Sequence, residues 1–582
     1  QASSPLSMLV REPFRANFYD IVRRKHVVLV VANDIDALCS SSILMHLFSC
    51  DDVAYSVVPV SNWTSLEKTL QEHFEQGSNF VLFNCGATRA MSDMPIPPAC
   101  TVFIVDSRRP LDVDNVYSDD GQIRVVCIGK EVDQELKIPR ADEIFAAESE
   151  NDDEDEEEEG DEDDDEGIDE NAAGRHRKRM ENMERRVLKN EEKKRWEARR
   201  GNLLWDYYEN SWTSTASSVV MLQVAAELSR ATVELVWVTA IAISSQLSAG
   251  DIGNDAYTLT CLDYMKPYIT KFAPAKNAIA KADDLLRIRF ERELPLPLYQ
   301  HWSLLQAMKV NEFFSCKTRN WTQRGEHDMK HLLANIGLTL NECRQKYTSM
   351  TLERRKEVVS LLEAAMETKF ASFFVHLGFN ERVSAFDVAR ALGCWLDGCP
   401  SKLLTDRFED CRALLRSFLT ASTDMSQLHK MIGVTKSELE GIWTNVGIAI
   451  NQAEIIPNGH FYLFSPQRPR ESCLLSRPAL LTFSHFLATA FSVSKKGRNS
   501  RPLVVALPYE EEGWQLVLGI MPLATSYADS HLKSFMGRAF ERAAKQPRIS
   551  VRREFFDPNM ILLKNEDRLR FFDQLQTLLE TV

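Results

Sequence analysis

The chain has 582 residues, more than one hydrophobic core usually supports, so two or three domains are expected. Its 44% hydrophobic, 26% charged and 9% aromatic residues match an ordinary soluble globular protein, and no stretch has the length and purity of a bilayer-spanning helix. The formal charge of −15 does not exclude nucleic acid, because eighteen of the acids lie between Glu148 and Glu170 and the remaining body is near neutral.

Chain order begins with Gln1–Ser7, after which Met8 reads as the natural start; no secretory signal is expected. Val27–Ala32, Val53–Val60, Phe80–Cys85, Thr101–Val105 and Ile123–Ile128 read as strands. Helical spacing separates them at Ser41–Phe48 and Ser65–Phe74. This alternation predicts a parallel, doubly wound sheet over residues 8–147. The acidic run Asn151–Glu170, followed by the basic run Arg175–Arg179, is a break that no packed core can contain, and a disordered acidic and basic linker is expected over 148–178.

Mixed charges with Trp196 over Met180–Arg200 predict a helix with a largely solvated face. Ala231–Leu247 carries Glu234, Thr and Ser, and reads as a buried core helix. The span 179–305 is expected to continue the first domain, and 306–440 to be an inserted helical domain that includes Leu332–Gly337 and Val358–Phe374. Strand patterns return at Phe461–Phe464, Leu503–Leu507 and Gln515–Met521, with helices at Ser530–Ala544 and Glu566–Leu579. They predict a smaller α/β domain over 441–582.

In a doubly wound sheet, the loops after the strands share one crevice, so Asn33-Asp34-Ile35-Asp36, Asn84-Cys85-Gly86 and Asp106-Ser107-Arg108-Arg109 should converge. Asp34, Asp36 and Asp106 have the spacing of a carboxylate cluster for hard cations, and equally of loop-capping aspartates. The twelve cysteines form no Cys-x-x-Cys pair, which argues against a zinc ribbon or a secreted disulfide framework. His327 and His331 stand four apart on a helix without an evident third ligand. No Gly-x-x-x-x-Gly-Lys-Ser/Thr loop exists, so ATP hydrolysis by this chain is not expected. Arg175, Arg177, Lys178 and Arg179 form a candidate nuclear-import patch.

The segments Val-Ala-Asn-Asp-Ile-Asp-Ala-Leu, Phe-Asn-Cys-Gly and Ile-Val-Asp-Ser-Arg-Arg-Pro resemble the motifs of RecJ-like DHH phosphoesterases, which bind two manganese ions. With Leu298-Tyr-Gln-His-Trp-Ser-Leu304, the acidic interruption and Gly537-Arg538-Ala539-Phe540, the chain resembles the cell-division-cycle protein forty-five family of that superfamily over essentially its whole length. The resemblance implies a RecJ-like α/β fold with a helical insertion and a C-terminal DHH-associated domain.

Carried over residue by residue, the first motif keeps Asp34 and Asp36, while Asn84 replaces the second-motif Asp. Asp106 remains in the third motif, where Ser107 and Arg108 replace both histidines, and Ser245 falls at the fourth-motif Asp. Such losses imply no cofactor, no metal and no catalysis, with Arg108 and Arg109 pairing with the retained acids. The resemblance implies a scaffold subunit of the replicative helicase that joins the MCM hexamer and the GINS tetramer, meets DNA polymerase and origin-firing factors, and resides in the nucleus on chromatin. Two alternatives are single-strand DNA binding in the ancestral groove through Arg108, Arg109 and Arg538, and a residual metal-dependent phosphodiesterase. Gly537 fits either close approach to a phosphate or domain packing.

Overall fold

A computed structural model describes residues 8–145 and 172–580, apart from 75–76, 93, 119–120, 273–285, 367–369, 378–380, 399–401, 421–423, 467–471, 495–500, 523–531 and 546–548. The acidic run Asn151–Glu170 and the residues before Met8 lie outside the described residues.

The first domain is built on β1 (Leu9–Val10), β2 (Val27–Ala32), α1 (Ile35–Cys50), β3 (Tyr55–Val60), α2 (Trp63–His73), β4 (Asn79–Phe83), β5 (Thr101–Val105) and β6 (Ile123–Val126). Its six strands are ordered β1-β6-β5-β4-β2-β3, and all the pairings are parallel. Helices cover both faces of such a sheet, so its central strands are unbroken apolar runs; all six residues of β2 are buried. Strand order reverses beside β2, where β3 lies on one side and β4 on the other, and this is where ligand crevices open in doubly wound folds.

Helix α3 (Ala172–Tyr208) runs for 37 residues and starts inside the stretch expected as linker. The backbone of Arg175, Arg177, Lys178 and Arg179 is therefore helical. Next come α4 (Ser217–Glu227) and the buried α5 (Val233–Ala249), the latter matching the expected core helix.

The middle of the chain corrects the all-helical expectation. A three-stranded antiparallel sheet, β9-β8-β7, joins β7 (Leu286–Arg292), β8 (Ala371–Leu377) and β9 (Glu381–Ser384). The helical pattern read over Val358–Phe374 ends at Met366 in α6 (Leu352–Met366), which precedes β8. Short apolar runs such as Phe373-Phe374-Val375 fit either period, and here pairing with β7 decides the outcome.

The insertion's own core gathers residues from Leu294 to Met366. Downstream, α7 (Ala385–Gly398) packs into the first domain's core instead. The 26-residue α8 (Ser426–Asn451) buries Met431, Ile432 and Leu439 in that core, and Ile442, Val446 and Ala449 in the next.

The C-terminal domain contains β10 (Ile455–Asn458), β11 (Phe461–Phe464), α9 (Arg477–Ser494), β12 (Leu503–Pro508), β13 (Trp514–Ile520), α10 (Met536–Ala544), β14 (Val551–Arg552), β15 (Met560–Lys564) and α11 (Arg568–Glu580). Its strand order is β10-β11-β12-β13-β15-β14, with only β11 and β12 parallel. The two α/β domains touch directly. Trp63 meets Phe556 edge to face with ring centroids 5.4 Å apart, and its amide donates to the Glu554 carbonyl at 2.8 Å. Ser211 and Ser534 exchange backbone hydrogen bonds of 2.8 Å. No helix among the described residues is long and apolar enough to cross a membrane.

Candidate functional site

The loops after β2, β4 and β5 do converge. Asp34 caps α1, its Oδ1 accepting the Ala37 amide at 2.8 Å, because a short acceptor side chain satisfies an otherwise orphaned helix N–H. Asn84 follows β4 with φ of +51°, a conformation asparagine tolerates better than most residues. Its side-chain amide donates to Asp34 Oδ1 at 2.9 Å and Asp36 Oδ2 at 3.1 Å. Its carbonyl oxygen accepts the Ser107 amide at 3.2 Å and the Ser217 hydroxyl at 2.6 Å.

Arg108 enters where the third motif's histidines are expected. Its guanidinium lies 3.1 Å from Asp34 and 3.7 Å from Asp106, and also donates to the backbone carbonyl of Asn84. Burial works against its charge, but Asp34 and Asp106 outweigh that effect and hold the guanidinium more firmly protonated than usual. Desolvation raises Asp106 above the ordinary carboxylate range despite Arg108.

Asp36 departs from the expected pairing because it meets no arginine. Its two oxygens accept the amides of Ser217 and Ser218, at 2.8 and 3.0 Å, at the start of α4. Desolvation, followed by the Asp34 charge, pushes it up to about 6 in spite of these donors. Ser217 and Ser218 are the partners that sequence reasoning missed; the only signal available was a helix start rich in serine.

Arg109 also departs from expectation. It is 2% exposed, pairs with buried Glu131 at 2.5 Å, and donates to the Asp106 carbonyl at 2.6 Å rather than to a carboxylate of the cluster. This burial removes it from the expected phosphate contacts, because a backbone phosphate needs a solvent-facing cation.

Ser245 lines the same cavity as Asp34, Asp36 and Asn84, and its hydroxyl donates back to the Ala242 carbonyl at 2.7 Å. Across that cavity, Arg477 at the start of α9 reaches Asp251 at 2.8 Å and Asp557 at 2.9 Å. The Arg477 backbone amide donates to Asp397 at 2.7 Å, and Asp397 also accepts the Asn33 amide at 2.9 Å. Burial opposes ionisation of Asp557, yet Arg477 prevails and keeps this carboxyl below its usual range.

Arg538 stands apart from the cluster, paired with Glu541 at 2.5 Å and 5.1 Å from the Trp205 ring. It lines a cavity of about 520 Å³ with Arg89, Arg200 and Arg553. Gly537 is a packing position: a Cβ there would lie 2.8 Å from Pro558 Cβ. His327 and His331 approach to 3.2 Å, and no group of three or more His, Cys, Asp or Glu among the described residues is placed to hold a metal.

A doubly wound sheet with an acidic cluster at its switch point, facing a smaller α/β domain across a groove, defines the class of two-domain α/β proteins with a crevice between the domains. Within that class the chain belongs to the CDC45 family, whose model matches residues 27–578. The chain is 32% identical over 588 residues to the human cell division control protein 45 homolog, covering 97% of this chain and 99% of that one. It is 30% identical to the Schizosaccharomyces pombe homolog, over 64% of this chain and 62% of that one. The crystal structure of CDC45 from Entamoeba histolytica matches with a TM-score of 0.68 at 17% identity, over 98% of this chain and all of that one. Family membership makes the chain a cell-division control protein of DNA replication.

Proposed function

We propose that this protein is a non-catalytic scaffold of the replicative helicase, joining the MCM hexamer and the GINS tetramer. The observation that carries the reading is the occupation of the old metal pocket by donors: the Arg108 guanidinium and the Asn84 amide both point N–H groups at Asp34, and Asn84 reaches Asp36 as well. Two-metal hydrolysis needs anionic and imidazole lone pairs converging on paired cations. Here the carboxylate oxygens already accept protein N–H groups, and a fixed positive charge stands beside them. The donor set therefore does not fit a pair of divalent ions.

Scaffolding requires surface, and α3 supplies some: Met180, Met183, Val187 and Leu188 are 53–69% exposed and recur at helical spacing. The basic residues Arg175, Arg177, Lys178 and Arg179 on the same helix suit nuclear import, and contacts with DNA polymerase and origin-firing factors on chromatin belong to this reading.

The test is reconstitution with MCM and GINS proteins, combined with a manganese-dependent nuclease assay on labelled single strands. Co-assembly without cleavage is expected. Cleavage that disappears in Asp34→Ala would falsify the reading.

One observation favours a second role in single-strand DNA binding: Arg89, Arg200, Arg538 and Arg553 line one cavity, and the half-buried Trp205 stacks under Arg542 at 3.2 Å. Cations beside aromatic rings suit a single-strand backbone with stacked bases. Arg108 can join only from the floor of the groove, since its side chain is 15% exposed. Anisotropy of a labelled single strand over a salt series tests this role, and no binding at low salt removes it.

A further inference from the structure

A cavity of about 730 Å³ that shares no lining residue with the cavity of the acidic cluster lies at the seam between the helical insertion and the sheet β7-β8-β9. Strand alternation explains its character. Ile288, Phe373, Val375 and Val383 turn into the first domain's core. On the other face, His376 of β8 stands between Arg287 of β7 and Arg382 of β9, while Phe374 is opposite Arg289. Arg382 lies over the Phe374 ring at 3.6 Å, which fixes its guanidinium against the sheet.

Helix α6 brings Arg355 and Lys356 to the rim, and the start of α8 brings His429. Among the described residues of the lining, Arg289, Arg292, Arg355, Lys356 and Arg382 thus face two carboxylates, Glu291 and Glu363, an excess of three positive charges before any histidine is counted. The existing pairs are long, with Arg382 and Arg289 reaching Glu291 at 3.2 and 3.4 Å, and Arg292 reaching Glu363 at 3.5 Å. Arg382 Nε and His376 Nε2 are buried without a hydrogen-bond partner. His301 Nε2 and Glu363 Oε1 of the same lining are unpartnered as well; buried polar atoms ordinarily find partners, and three nitrogens against one carboxylate oxygen beside a cationic cavity favour an anion there.

We propose that this cavity binds a phosphorylated side chain of a peptide segment from a partner protein. Charge separates this ligand from a plain acidic peptide: phosphoserine brings about −1.5 to −2 with three acceptor oxygens, whereas a carboxylate brings one negative charge. Guanidinium forks also suit phosphate geometry. A single nucleic-acid strand fits less well because it needs an exposed ring on which to stack, and the wall's tyrosine, Tyr347, is 5% exposed beneath Arg355.

The test uses the full chain and three immobilised degenerate peptide libraries with a fixed central phosphoserine, serine or glutamate. Selective retention by the phosphoserine library is expected. Arg289→Ala and Lys356→Ala, both at exposed positions, should each weaken retention by about tenfold, with unfolding midpoints unchanged. The proposal is overturned by equal retention on the serine or glutamate library, by indifference to both substitutions, or by displacement with a short single-stranded oligonucleotide at the concentration of competing phosphopeptide.

Discussion

The Ser217 hydroxyl donates to the side-chain carbonyl of Asn84 across 2.6 Å, tying the first turn of α4 to the loop after β4, 133 residues earlier. Asn84 is thereby oriented: its oxygen is taken by Ser217 and Ser107, so its amide must face Asp34 and Asp36. An aspartate at this position has no N–H to offer.

Asn84→Asp should therefore destabilise the protein. It would set a third carboxylate within hydrogen-bond distance of two others, and a buried uncompensated charge costs about 3–5 kcal/mol. A lower urea midpoint at pH 7.5, not restored by manganese, is the expected result; recovery by manganese would show that the pocket can still accept cations.

Removing the central cation should have a comparable effect. Arg108→Ala leaves Asp34 and Asp106 facing each other without their guanidinium, with an expected loss of about 3 kcal/mol or more. In a double-mutant cycle with Asp34→Ala, the losses should fall short of additivity by about 1–3 kcal/mol, as for residues in one network. Strict additivity would mean that the pair does not interact.

Glu293 supplies a pH signature away from the cluster. Burial pushes its carboxyl up to about 8, with one oxygen lacking a hydrogen-bond partner. The folded state thus keeps a proton that the unfolded chain releases near 4.5, and stability falls as pH rises from about 4.5 to 8. At roughly 1.4 kcal/mol per pH unit, the contribution is on the order of 3–5 kcal/mol at pH 8. Glu293→Gln never requires that proton, so denaturant midpoints measured from pH 5 to 8 should decline less steeply than in the parent. Parallel curves would refute this.

Gly537→Ala should cost about 1–3 kcal/mol through overpacking, because the new methyl meets Pro558 at 2.8 Å and the backbone beyond it at 3.1 Å. Scanning calorimetry would register the loss. Unchanged stability together with weaker DNA binding would instead restore a ligand role for Gly537.

The first domain was legible because buried parallel strands are unbroken apolar runs: Thr101–Val105 matches residue for residue, and Val27–Ala32 is likewise recovered complete. Asp34, Asp36, Asn84 and Asp106 could be located because each follows such a strand. The sheet β7-β8-β9 is not legible, although Leu286–Glu291 alternates apolar and charged residues, because its partner β8 begins 79 residues after the end of β7 and is reached only through the insertion. Ser217, Glu131 and Arg477 were also hidden. Each acts through a contact made across folded elements, and neither spacing nor composition marks a hydrogen bond between residues so distant in sequence.

Helix α8 has a mechanical consequence. Its 26 residues make a rod of about 39 Å whose first half is anchored in one hydrophobic interior and whose second half is anchored in another. Neither half can tilt alone without opening a void around the other, so a load applied to one of these two cores is transmitted stiffly to the other.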